Sequence, residues 1–165
     1  MSYRGLQLME EQSHNWRISS IRKIAGALDL PENGIDQLLD QFLAQNKDSV
    51  MIASYHILTD GESSWPLHLF NFVDSFRRLP DESLIHMPPA DNLSNPLKCL
   101  FASTVEALCL NSNLNQPDWC HGIRRLSDPW FVAGIESLKA TALVESPVHF
   151  RKRNIFVLGN FLDRA

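Results

Sequence analysis

The segment from Trp65 to Arg78, WPLHLFNFVDSFRR, constrains the chain more than any other. Ser64 stands where an N-cap would, and Pro66 falls in the first turn, where its missing N–H does no harm. Leu69, Phe70, Phe72, Val73 and Phe76 then recur at three and four residues and cover a wide apolar face. Arg77 and Arg78 suit the negative end of the helix dipole, and Pro80 ends the pattern. A stripe this broad predicts a central core helix, around which the remaining elements must be arranged.

Upstream, Ile21, Ile24, Ala25 and Leu28 repeat at helical spacing behind Ser19 or Ser20, and Leu30-Pro31 closes that segment. After the turn at Glu32-Asn33-Gly34, Ile35, Leu38, Leu39, Phe42 and Leu43 begin a second helix. Helix, short turn and helix raise the question of a DNA-reading motif. The second helix, however, presents Asp36, Gln37, Asp40 and Gln41, and its carboxylates would repel phosphates, so a structural hairpin is the expected outcome. Residues 49 to 58, SVMIASYHIL, mix strand-favouring and helix-favouring side chains and stay undecided between the two. The polar run from Thr59 to Ser64 reads as a loop. It divides an N-terminal hairpin or arm, 1–60, from a main helical domain, 61–165.

Downstream, Pro80, Pro88, Pro89 and Pro96 mark residues 79 to 96 as a connecting wrap, with a short turn at Glu82 to Ile85. Asn95 and Pro96 open another helix, whose core face is Leu97, Leu100, Phe101, Thr104, Val105 and Leu108, and Asn111 to Gln116 form a polar turn. The expected fold is mostly α: a single-domain helical bundle with an N-terminal hairpin and a short extended segment near the C-terminus. Its core is expected from the helices near 65–78, 96–110 and 135–144.

The last forty residues carry the densest signals. Asp128 can cap a turn starting at Pro129, and Trp130 and Phe131 follow as an apolar anchor. Ile135, Leu138, Ala142 and Leu143 predict an amphipathic helix, with Glu136 and Lys139 paired on its outer face. Ser146 and Pro147 repeat the cap-then-proline signal for a short helix holding Val148, Phe150 and the triplet Arg151-Lys152-Arg153. Asn154 stops it, and Ile155 to Leu158 read as a buried extended segment. Neighbouring cations on a helix lie about 100° apart, so one of the three is expected to lay its stem on the core while the others face water or a partner.

Charge is unevenly distributed. The chain carries −4 overall, yet residues 122 to 165 hold seven Lys or Arg against four Asp or Glu, and residues 1 to 121 hold eight against fifteen. A basic end on an acidic body can steer a partner. The negative total argues against a protein that binds nucleic acid over its whole surface. Cys99, Cys109 and Cys120 include no CxxC pair and suit a reduced, cytoplasmic setting, and no apolar run predicts a signal peptide or a membrane span. The six histidines are scattered singly, with no HExxH or zinc-finger spacing, so no metal is expected. No GxSxG and no glycine-rich phosphate loop is present, so neither a cofactor nor an enzymatic activity is expected.

The segments WPLHLFNFVDSFRR, DPWFVAGIESLKA and SPVHFRKRNIFVLGNFL resemble a widespread group of short bacterial proteins of uncharacterised function that end in a W-F-x-x-G and S-P-x-x-F-R-x-R-N-I-F-V pattern. The resemblance covers roughly residues 64 to 165. It implies a partner or antitoxin role beside nucleotidyltransferase-like toxin–antitoxin or defence genes, and it carries over no catalytic residue. The function expected from the sequence is therefore a non-enzymatic cytoplasmic protein-interaction module. Arg151, Lys152 and Arg153 are its charged contacts, Trp130 its anchor, and Arg124 and Arg125 further contacts. The alternatives are a nucleic-acid-binding regulator that uses the same basic end, and an enzyme with an unfamiliar site.

Overall fold

In the computed structural model the described residues are 48–163, together with Gly26, which is helical and exposed. Apart from Gly26, the expected hairpin at 19–43 and the indeterminate first sixteen residues lie outside the described residues. The chain divides into two units between Gln45 and Asn46. The proposed boundary near Thr59 to Ser64 instead falls between two helices of the second unit, which is mostly α.

Helix α1 spans Val50–Asp60 and settles the ambiguous 49–58 run. The Ser49 hydroxyl accepts from the Ile52 N–H at 3.3 Å, a side-chain cap that the branched residues following it could not supply. Val50, Ile52, Ala53 and Ile57 are buried. Thr59 and Asp60 complete the helix rather than opening a loop. Gly61 turns the chain at φ 94°, and a single 3₁₀ turn, Glu62–Ser64, leads on.

Helix α2, Trp65–Arg78, has the limits its sequence predicts, with Leu69, Phe72, Val73 and Phe76 buried. Ser64 does not cap it; its hydroxyl donates to the Gly61 carbonyl at 2.7 Å. The proline-rich wrap holds the expected short turn, Glu82–Leu84, and is fastened at two points. The Ala90 N–H donates to the Ser54 hydroxyl at 2.8 Å, and the Trp119 indole N–H donates to the Ile85 carbonyl at 2.8 Å.

Helix α3, Asn95–Ser112, is the centre of the body. Every residue from Cys99 to Cys109 is buried, so the helix is covered on all sides rather than on the one face its periodicity suggested. Asn113, left-handed at φ 55°, ends it inside the expected polar turn. A short helix α4, Asp118–Gly122, packs on α3.

Asp128 lies in a bend and Pro129 leads directly into a strand. Trp130–Phe131 forms strand β1, which pairs in parallel with β2, Ile155–Phe156, in the register Trp130 to Ile155 and Phe131 to Phe156. The predicted helix over 135–144 is a correction. Gly134 at φ 64° and an extended Ile135 precede a 3₁₀ turn, Glu136–Leu138, and only Lys139–Glu145 is the α-helix α5. Of its expected apolar face Ala142 alone is buried, whereas Ile135 and Leu143 are about half exposed, so α5 is not a core helix. Pairing of β1 with β2 fixes the chain on either side, and the segment cannot rotate its stripe inward. The Glu136 and Lys139 pair forms as expected, at 2.7 Å. Helix α6, Val148–Arg151, buries Phe150, and Asn154 at φ 63° turns the chain into β2. Ile155 and Val157 are buried, as the sequence predicts. Among the described residues no helix is long and apolar enough to cross a membrane.

Candidate functional site

The basic triplet separates into three different environments. Arg151 is exposed. Lys152 is half exposed and pairs with the Glu106 carboxylate of α3. Arg153 is 4 % exposed and so is a correction to its expected role as a surface contact. It stands in the turn between α6 and the left-handed Asn154 with its head buried, where its Nη1 and Nη2 donate to Glu106 Oε2 and Oε1 at 2.9 and 2.7 Å. Nη2 also donates to the Cys120 carbonyl at 2.6 Å. His149 Nδ1 lies 3.5 Å from the same carboxylate.

Glu106 itself, 1 % exposed, was not among the expected residues. Burial, the largest single influence, pushes its carboxyl up, but the hydrogen bonds and charges of Arg153 and Lys152 together outweigh it and hold the group below the ordinary carboxylate value. The Glu106 carboxylate thus faces two cations, one buried and one half exposed. Burial pushes the thiols of Cys109 and Cys120 up to about 11 and about 12, with the Glu106 charge adding to the effect, so both stay protonated.

Arg124, Arg125 and Trp130 come together instead. They line a cleft of about 670 Å³ with Asn95, Pro96 and Lys98 of the first turn of α3, and the wall from Gly122 to Trp130 closes the other side. Both arginines are exposed, and the Cys99 thiol fixes the backbone of the first by donating to the Arg124 carbonyl at 3.0 Å. Trp130 is half buried, its ring edge-on to Trp65 at 6.2 Å. At the head of α3 the Ser94 side chain makes no capping hydrogen bond, which leaves the first-turn amides of that helix without a side-chain acceptor. Asp128, whose carboxylate accepts from the Ser127 hydroxyl at 2.9 Å, is the one acidic residue among those lining the cleft.

Two further recesses among the described residues are chemically different. One of about 410 Å³ is lined by Glu82, His86, Asp118 and Trp119, and is acidic. A groove of about 380 Å³ runs between Arg77, Leu110, Val148 and Asp163. Among the described residues no group of three or more His, Cys, Asp or Glu could hold a metal ion. Compared with family models, with curated proteins and with solved structures, the chain finds no match in any of the three.

Proposed function

We propose that the body from Asn46 onward is a non-enzymatic protein-interaction module that takes an acidic segment of another protein into the cleft of Arg124, Arg125 and Trp130. The observation that carries this reading is the convergence of two exposed arginines and a braced tryptophan on one recess at the head of α3. Guanidinium forks match carboxylates in shape and charge, and arginine and tryptophan are the side chains that most often anchor protein interfaces. The positive end of α3 adds to the attraction for an anionic group. A protein is favoured over nucleic acid because the chain's −4 net charge opposes a long polyanion, whereas a short acidic segment meets mainly the local cations. The three free, buried thiols suit a reducing compartment, which supports a cytoplasmic location for the complex.

The test is capture from the native host by the tagged full chain, run beside R124Q/R125Q and followed by mass spectrometry and a nuclease-sensitive absorbance reading. The product of a neighbouring gene is the first candidate, in keeping with the family resemblance. One stoichiometric protein held by the wild type and lost by the double variant supports the reading. Equal retention by both contradicts it, and nucleic acid held in place of protein replaces it with the regulator reading.

A further inference from the structure

We infer that Glu106 is a positioning residue for the Arg124, Arg125 and Trp130 cleft, acting through Arg153 and Asn154. The inference rests on the proposed binding role of that cleft. Glu106 does not line the recess, yet the wall opposite α3 hangs from the two residues that it orients.

The connections run in sequence. At the near end of the wall, Arg153 Nη2 donates to the Cys120 carbonyl at 2.6 Å. In the middle, the Leu126 N–H donates to the Arg153 carbonyl at 3.1 Å, and Asn154 Nδ2 donates to the Leu126 and Ser127 carbonyls at 3.3 and 3.4 Å. At the far end, the Trp130 N–H donates to the Asn154 carbonyl at 2.9 Å. Residues 120 to 130 are thus fastened along their length to a platform of two residues.

That platform has little rigidity of its own. Helix α6 has four residues, too few to hold itself together, and Asn154 is a left-handed turn. Burial of Phe150 and Ile155 keeps the segment down but does not orient it, because apolar contact is non-directional. The planar fork between Arg153 and Glu106 supplies the direction, since two parallel N–H donors fix the guanidinium in its plane. Cys99, which holds the Arg124 carbonyl, lies seven residues before Glu106 and hence two turns away on the same side of α3. One face of the central helix therefore holds the wall at two places: Cys99 at Arg124, and Glu106, through Arg153 and Asn154, at Leu126 to Trp130.

The experiment compares wild type, E106Q, R153K and V73A as full chains, under conditions where all four remain folded. Glu106→Gln keeps the shape and removes the charge. Arg153→Lys keeps the charge and removes the fork. Val73→Ala opens the core on α2 at a residue that does not line the recess. Two readouts are taken: amide hydrogen exchange along the chain, and binding of fluorescein-labelled octaglutamate as the acidic probe. In E106Q and R153K, exchange at Leu126 and Trp130 is expected to quicken about tenfold more than in the rest of the body, with a loss of about tenfold in probe affinity. V73A is expected to show neither effect. A uniform rise in exchange in all three variants would overturn the inference, since Glu106 would then be core support only. Local quickening with unchanged probe affinity would also overturn it. If wild type fails to bind the probe, the proposed binding role fails, and the exchange pattern still decides whether Glu106 orients the wall.

Discussion

Arg153 grips Glu106 with both Nη atoms, at 2.9 and 2.7 Å, across forty-seven residues of sequence and inside the core. The pair joins the turn after α6 to the central helix and leaves Arg151 and Lys152 as the exposed members of the basic triplet. It also takes Arg153 out of the set of surface cations.

Removing Arg153 leaves the buried Glu106 carboxylate without its two-pronged partner, with the half-exposed Lys152 as the remaining close cation. Arg153→Met is expected to destabilise the body by about 3–5 kcal/mol, while the double variant E106L/R153M recovers much of the loss because no charge is stranded. Urea unfolding of the three proteins checks this. Equal stability of R153M and wild type would show that the pair carries no net burden in folding.

The same pair sets a pH dependence. The Glu106 carboxyl lies below its ordinary value of 4.5 in the folded body. Its contribution is therefore fully present above the ordinary value and lost as pH falls through the lower folded value. Stability measured from neutral pH down through that range should fall more steeply in wild type than in E106Q. Parallel curves would contradict the assignment.

Phe72 tests the core. It is fully buried on α2 and meets Phe101 of α3 at 6.3 Å between ring centroids. Phe72→Ala should cost about 3–5 kcal/mol, read as a drop in the unfolding midpoint with an unchanged denaturant slope. A neutral result would remove α2 from the centre of the account.

How much of this was legible depended on whether one periodic stripe decided the matter. Trp65 to Arg78 could be read because its apolar stripe, its proline and its terminal arginines all point to one helix. The stripe from Ile135 to Leu143 has the same spacing and failed, because pairing of Trp130–Phe131 with Ile155–Phe156 fixes the chain around it, and spacing carries no information about that contact. Glu106 left a signal that went unread. It is the one ionisable carboxylate among the apolar and small residues from Cys99 to Cys109, and a charge in such a stretch requires a cation brought to it. The triplet at 151 to 153 supplied the candidates, but which of the three turns inward depends on where Glu106 and the Cys120 carbonyl stand, a tertiary property. The meeting of Arg124, Arg125 and Trp130 was partly legible, since all three were expected contacts. Their shared cleft with the head of α3 is a tertiary fact.

The buried thiols give a further check. With Cys109 and Cys120 pushed up to about 11 and about 12, neither offers thiolate at neutral pH. Both are expected to resist a thiolate-selective alkylating reagent in the native state and to react on unfolding, as peptide mapping would record. Rapid native labelling of Cys120 would contradict its place beneath Arg153.

The most direct measurement of the central claim is the affinity of the captured protein partner for wild type, R124Q/R125Q and R151Q, with melting temperature recorded for each. The cleft arginines are exposed, so their loss should leave melting nearly unchanged while weakening binding about tenfold or more, and R151Q should match wild type. Weakening by R151Q with no effect of R124Q/R125Q would contradict the account and place the partner on the basic triplet instead.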